Sequence, residues 1–162
     1  MQYGLLPSFC NYLTNRRLTK TIVGWRKGTG VALSFPMECY FGIFDLPENN
    51  QDGKSAVVSF QIPDVGIRFK APFAGVNKNH SDLASLLALL EFIDSNQKYF
   101  TNHTFQIFGN NLSVINQVNG REHPPEIFEH LMEKAARYRE KYRFSLDWVP
   151  QGDNPAIDPL FD

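Results

Sequence analysis

The sequence predicts a single α/β domain, and three observations support this. Three β-like runs follow one another along the chain, a long helical pattern comes next, and after it a strand leads directly into a loop and a helix. The chain has 162 residues, enough for one domain with a hydrophobic core and too few for two comfortable ones. Hydrophobic residues make up 43% and charged residues 20%, values that argue against disorder or a fibrous repeat.

Residues 1–36 are predicted to be an N-terminal extension to this domain. The segments 21–25 and 31–35 are both β-like, and the stretch between them contains two glycines, which favours a turn. The extension is therefore predicted to contain a hairpin. The main domain is predicted to span residues 37–162.

The main domain begins with three predicted strands, at residues 39–44, 55–62 and 67–73. The connections between them are rich in Pro, Asn, Asp and Gly, which are the residues that form turns. Consecutive strands joined in this way predict an antiparallel meander.

A helix is predicted next, at about residues 82–98. Apolar residues recur there at the spacing of one helix face: Leu83, Leu86, Leu87, Leu90 and Ile93. Ser81 precedes this pattern and is predicted to cap the first turn.

The second half of the domain alternates strands and helices. Residues 104–108 form a predicted buried strand, and residues 112–118 a short helix after it, an arrangement typical of a parallel sheet. A second long helix is predicted after Pro124 and Pro125, and a final strand at residues 144–149. The predicted order is βββ, α, β, α, α, β.

This order resembles the ribonuclease H-like superfamily, in which three antiparallel strands precede a helix and two further strands run parallel to the first. The segment 107–120 is similar to the family's strand and helix that follow, with Asn110 and Asn111 where Asp and Ser are expected. The resemblance covers residues 39–160. It implies a five-stranded mixed sheet flanked by helices, with the N-terminal extension added to it.

Two further segments carry the resemblance. Residues 148–158 are similar to the family's ending, in which Val-Pro and a few polar residues precede Asn and an acidic residue, here Asn154 and Asp158. Residues 80–87 resemble the start of the family's first helix, where Asp82 replaces the usual Glu.

The resemblance also implies a set of metal-binding positions. Family members cleave phosphodiester bonds with two metal ions, which require several carboxylates from distant parts of the chain. The implied catalytic positions are Asp45, Asp82, Asn110 and Asp158, and the three aspartates would bind Mg²⁺ or Mn²⁺. Asp45 closes the first predicted strand, although Leu46 stands where the family has Gly. Because Asn110 brings no negative charge, the resemblance implies a degenerate active site.

The function that the resemblance implies is nucleic-acid binding, with an RNA–DNA hybrid or another nucleic acid as partner. Hydrolysis of the RNA strand would be weak or lapsed, and the sequence leaves enzyme activity open. The alternative is a non-catalytic module of the same fold for protein interaction or homo-oligomer formation. A related exonuclease fold is disfavoured, because its first strand carries Asp-x-Glu whereas Asp45 and Glu48 are three residues apart.

Charge and hydropathy limit the partners and the location. The net charge is −1, so contact with nucleic acid requires a local basic patch. The two cysteines, Cys10 and Cys39, lack the spacing of a zinc site. No apolar run reaches the roughly 20 residues that span a bilayer, and no signal peptide is evident. The expected location is therefore the cytoplasm, without membrane contact.

Overall fold

The computed structural model describes residues 35–45 and 55–159, and only the backbone of Asp45 and Ser55. These residues all lie within the structural unit Ser34–Asp162. The hairpin predicted in the N-terminal extension lies outside the described residues, so it stays a prediction. Within the described ranges, no helix has the length and apolar character needed to cross a membrane.

A mixed sheet forms the centre of the described structure. Its strands are β1 (Met37–Asp45), β2 (Ser55–Ile62), β3 (Ile67–Ala74), β4 (Phe105–Gly109) and β5 (Phe144–Trp148). They are arranged in the order β3-β2-β1-β4-β5. The first three strands pair antiparallel, while β4 runs parallel to both β1 and β5. The predicted sheet of three antiparallel strands followed by two parallel strands is therefore confirmed.

Helices connect the later strands: α1 (Lys78–Ser95), α2 (Gln97–Phe100), α3 (Leu112–Val118) and α4 (Glu129–Lys141). The predicted start of the first helix, at residue 82 with Ser81 as its cap, is wrong. Asn77 is the cap, because its side-chain oxygen accepts a hydrogen bond of 2.9 Å from the His80 backbone N–H. Ser81 lies one turn inside the helix, where its hydroxyl donates to the Asn77 carbonyl oxygen.

Helix α1 is buried along almost its whole length, which explains why apolar residues occur on all its sides. Ala84 packs against Ile43 and Val58 on one face of the sheet. A second apolar cluster joins α1 to α3, to α4 and to the turn before α4, and it contains Leu83, Leu87, Val114, Phe128 and Ala135. The long helix is thus the central element of the core.

The opposite face of the sheet carries a short C-terminal 3-10 turn, Pro155–Ile157. Gly42 precedes Ile43 on β1 and therefore faces away from α1. The Ser59 hydroxyl on β2 donates a hydrogen bond of 2.5 Å to the carbonyl oxygen of Ala156. This contact holds the C-terminal turn against the sheet beside Gly42.

Candidate functional site

A cleft of about 600 Å³ opens where β1 and β4 end and α1 begins. It is lined by Ile43, Phe44, Lys78, Asn79, Asp82, Asn110, Asn111, Leu112, Gln151, Ile157 and Pro159. The polar part of this lining has four amide side chains, one carboxyl group and one ammonium group. The carboxyl ends of neighbouring parallel strands are a common place for ligand sites, so the cleft is the candidate site.

Asn111 connects the two helices that border the cleft. Its side-chain oxygen accepts a hydrogen bond of 3.3 Å from the Val114 backbone N–H and so caps α3. Its amide nitrogen donates at 2.9 Å to the side-chain oxygen of Asn79 on the first turn of α1. The loop after β4 is therefore held at a defined distance from the start of α1.

Asn110 lines the cleft and is held by Asn154. The amide nitrogen of Asn154 donates to the Asn110 side-chain oxygen and to the Phe41 carbonyl oxygen, each at 2.9 Å. The Asn154 oxygen in turn accepts from the Ala156 backbone N–H at 3.1 Å. The oxygen with which Asn110 could contact a cation is thus already a hydrogen-bond acceptor for a neutral donor.

Gly42 is the residue of β1 that lies beside Asn110. The parallel register pairs Tyr40 with Phe108, and two residues further on it brings Gly42 level with Asn110. A Cβ atom at Gly42 would lie 2.7 Å from the Ile157 Cγ2, 3.1 Å from the Asn154 amide nitrogen and 3.2 Å from the Asn110 oxygen. A carboxylate at this position would therefore require its neighbours to move.

Asp45 lies three residues beyond Gly42 on the same strand. Its backbone pairs with Ala56 on β2. Three residues of a strand span about 10 Å, so the backbone of Asp45 lies well past the level of Asn110. The structure describes the backbone of Asp45 but not its side chain, so the role of Asp45 as a metal ligand stays a prediction.

Asp82 is a buried carboxyl group at the cleft, only 1% exposed. Its Oδ2 atom has no hydrogen-bond partner among the described residues. Burial raises the pKa of Asp82 to about 7, and the positive charge of Lys78 on the same helix acts in the opposite direction. Near neutral pH the cleft therefore contains a carboxyl group that is poorly stabilised as an anion.

Asp158 follows the C-terminal turn and is half-buried. Its neighbours Ile157 and Pro159 both line the cleft, so its backbone passes the site. The structure thus brings Asp82 and Asn110 into one cleft and places Asp158 at its edge.

The described lining does not fit a centre of two divalent cations. Among the side chains that the structure describes, which do not include that of Asp45, no group of three or more His, Cys, Asp or Glu residues is placed to hold a metal ion. The side-chain oxygens of Asn79, Asn110 and Asn111 accept hydrogen bonds from protein donors. A pair of divalent ions needs several anionic ligands. Asp82 is the carboxylate that the described lining offers.

Sequence reasoning missed several residues of this site. Gly42 had a signal, because an isolated glycine within a strand often marks the close approach of another part of the chain. Lys78, Asn79 and Gln151 had none, since their positions in the cleft depend on non-local packing. Trp148 was noted only within the C-terminal motif, and the structure joins it to Asn110, a residue of the cleft lining, through a hydrogen bond to the Asn110 backbone carbonyl oxygen.

No protein-family model matches the sequence, and no curated protein is similar to it. Solved structures do match. Ribonuclease H1 from the halophilic archaeon Halobacterium salinarum is 16% identical with a TM-score of 0.59, and the match covers 75% of this chain and 91% of that one. The LC11 ribonuclease H1 in complex with an RNA/DNA hybrid is 13% identical with a TM-score of 0.60, covering 74% and 88%.

The N-terminal ribonuclease H domain of a Mycobacterium tuberculosis protein also matches, with 14% identity, a TM-score of 0.56 and coverage of 73% of this chain and 86% of that one. Matches of this kind establish the arrangement of the chain in space. The predicted ribonuclease H-like fold is therefore confirmed.

Proposed function

We propose that this ribonuclease H-like domain binds nucleic acid and that hydrolysis at its cleft is weak or lost. The proposed loss of hydrolysis depends mainly on the position where Gly42 on β1 lies beside Asn110. Gly42 lies there without space for a side chain, and the Asn110 oxygen is bonded to Asn154. A cleft with these groups retains the position of a substrate site while offering little negative charge for metal ions.

An RNA–DNA hybrid is the first ligand to test. The LC11 ribonuclease H1 is similar in fold and was solved in complex with an RNA/DNA hybrid, which supports this choice. In this chain Lys78 is exposed at the cleft and supplies a cation for a phosphate. With a net charge of −1, binding depends on such local cations and should weaken steeply with salt.

Mg²⁺ or Mn²⁺ is proposed only as the cofactor of any residual cleavage. Its ligands would be Asp82 together with Asp45 and Asp158, as the resemblance implies. The unpartnered Oδ2 of Asp82 supports a role for that residue, because a buried carboxylate oxygen without a hydrogen-bond donor can still take a cation.

The test is to measure binding and cleavage separately. We expect a labelled RNA–DNA hybrid to bind the wild type at low salt without metal, as seen by fluorescence anisotropy, and to be cleaved weakly or not at all with Mg²⁺ or Mn²⁺. Asn110→Asp adds a negative charge at the cleft and should raise metal-dependent cleavage, because a pair of divalent ions needs anionic ligands. Asp45→Asn should abolish any residual cleavage if Asp45 is a ligand.

Asn116→Asp is the matched control, since it makes the same chemical change on α3 outside the cleft lining. It should leave cleavage unchanged. Robust metal-dependent cleavage by the wild type would contradict the proposed loss of hydrolysis, and residual cleavage that survives Asp45→Asn would contradict Asp45 as a ligand. Absence of hybrid binding at low salt would contradict the RNA–DNA hybrid as the ligand, and absence of binding to any nucleic acid would contradict nucleic-acid binding itself.

The second candidate is the non-catalytic module for protein interaction or homo-oligomer formation. Val76 and Ile127 are exposed apolar side chains outside the cleft lining, and each belongs to a segment that contacts the buried His80. The Val76 backbone N–H donates to His80, and Phe128, next to Ile127, stacks on the His80 ring. Sedimentation of the wild type and of Ile127→Asp tests this candidate, which predicts an assembly that the variant dissociates. A cytoplasmic location stays a prediction.

A further inference from the structure

Trp148 is an exposed aromatic side chain with a defined orientation. It ends β5 and is 49% exposed, although tryptophan side chains are highly buried on average. Its indole Nε1 donates a hydrogen bond of 3.2 Å to the Asn110 backbone carbonyl oxygen. The Val149 N–H donates to the Gly109 carbonyl oxygen at 2.9 Å, which fixes the end of the strand beside β4. The ring is therefore held next to Asn110, which lines the cleft.

The cleft that Asn110 lines suits a ligand that is apolar on one side and anionic on the other. Leu112, which follows the two asparagines and lines the cleft, is 54% exposed. Inside the cleft, the oxygens of Asn79 and Asn110 accept protein hydrogen bonds, so each offers its amide N–H groups to a ligand. Lys78 adds a cation at the same opening.

We propose that Trp148 is a stacking platform for an unpaired nucleobase, and that the phosphate of the same strand contacts the amide N–H groups and Lys78 in the cleft. This inference rests on the proposed nucleic-acid binding and names its substrate class as a single-stranded segment. A nucleobase within a duplex is stacked on both faces, so an indole ring can take only a base that is unpaired or displaced. The phosphate contact uses neutral donors and one cation, and it needs no metal ion.

The geometry favours stacking over simple burial of the indole. A tryptophan that serves only the core is covered by its neighbours, and its N–H group is bonded inside the protein. Trp148 satisfies its N–H group through Asn110 and leaves about half of its surface to solvent. Since the hydrogen bond restricts the ring before the ligand arrives, stacking costs little conformational entropy.

The test combines intrinsic fluorescence with affinity. The chain has two tryptophans, so Trp25→Phe leaves Trp148 as the only one and serves as the reference protein. We expect a short oligothymidylate, titrated at low salt with a chelator, to quench the Trp148 emission on binding. A labelled oligothymidylate should lose about 5- to 150-fold in affinity on Trp148→Ala, the range typical of one stacked base. The matching DNA duplex should bind more weakly than the single strand.

Two variants separate stacking from a positioning role. Trp148→Phe keeps an aromatic ring but loses the Nε1 hydrogen bond, and it should retain most of the affinity that Trp148→Ala loses. Tyr99→Ala removes another exposed aromatic side chain, remote in sequence from the cleft, and should leave affinity unchanged. Thermal unfolding of each variant checks that the fold is intact.

The outcomes also separate this inference from the proposed function. Nucleic acid that binds without quenching Trp148, or with equal affinity to Trp148→Ala, overturns the stacking platform and leaves nucleic-acid binding standing. Equal weakening by Trp148→Phe and Trp148→Ala assigns the loss to the Asn110 hydrogen bond and also overturns stacking. No binding of single strand, duplex or hybrid at low salt overturns the proposed function itself.

Discussion

The two ends of α1 carry aspartates in opposite situations. At the last turn, Asp94 accepts hydrogen bonds from Lys141 at 2.5 Å, from the Tyr142 hydroxyl and from Gln97 at 3.2 Å. Burial acts to raise the pKa of Asp94, but these donors outweigh it and lower the pKa. At the first turns, Asp82 is more deeply buried, lacks a partner for Oδ2 and has a raised pKa.

This difference separates groups that stabilise the fold from groups available to a ligand. The hydrogen bonds of Asp94 join the end of α1 to the end of α4. They also stabilise the negative charge of the Asp94 carboxylate. A buried carboxyl group without donors destabilises the folded state, and such groups concentrate at functional sites. The buried, unpartnered carboxyl group at the start of α1 is therefore the feature of this helix that supports the proposed site.

The largest effect is expected for Asp82→Asn. The pKa of Asp82 rises from 3.8 to about 7 on folding, so between these values the folded state binds more protons than the unfolded chain. Raising the pH through this range should therefore lower the free energy of unfolding, by up to about 4 kcal/mol for a shift of this size. Asp82→Asn removes the titration and should be the more stable protein at pH 8, as measured by urea unfolding with a chelator present.

The readout for Asp82 is the difference between wild type and variant at each pH, because other groups titrate as well. Asp147→Asn, at an exposed aspartate on β5, is the matched control and should follow the wild type. A wild type that is as stable as Asp82→Asn at pH 8 would show that Asp82 has a donor in solution. The contrast between the two ends of α1 would then fail.

An intermediate loss of stability is expected for Gly42→Ala, at the strand position beside Asn110. The added methyl group would lie 2.7 Å from the Ile157 Cγ2, and overpacking of this kind costs about 1–3 kcal/mol. Chemical denaturation measures the loss, and Ile157→Ala in the same chain should recover part of it. Gly152→Ala is the control, since a Cβ there meets nothing within 4 Å. Equal stability of Gly42→Ala and wild type would mean that this position has room for a side chain.

The sequence predicted the elements better than the site, and the residues show why. The apolar spacing from Leu83 to Ile93 is a local signal, so α1 was predicted within a few residues of its observed bounds. Asn77 as the cap was missed because Ser81 is an equally good capping residue, and only the observed hydrogen bond distinguishes them.

Gly42 and Asn110 lie side by side because of the parallel register between β1 and β4. Along the chain, β2, β3, α1 and α2 lie between these strands, so no local pattern determines which residues lie side by side. The prediction chose Asp45 because a carboxylate was expected at the end of a strand. The parallel register, which is known only from the fold, places Gly42 beside Asn110, and the role of Asp45 stays a prediction.

The smallest effect is expected at the other end of α1, for Asp94→Asn. The variant removes the charge that Lys141 and Tyr142 contact, and because the pair is accessible to solvent the loss should be about 1 kcal/mol at pH 7. A depressed pKa contributes stability above the unfolded value of 3.8 that is lost as the pH falls through the folded value. Urea unfolding from pH 2 to pH 7 should therefore show wild type and variant converging in acid. For Asp82→Asn, the difference in free energy of unfolding from the wild type should grow as the pH rises. Opposite pH dependences for the two variants would show that the two carboxyl groups of α1 differ in their contribution to stability.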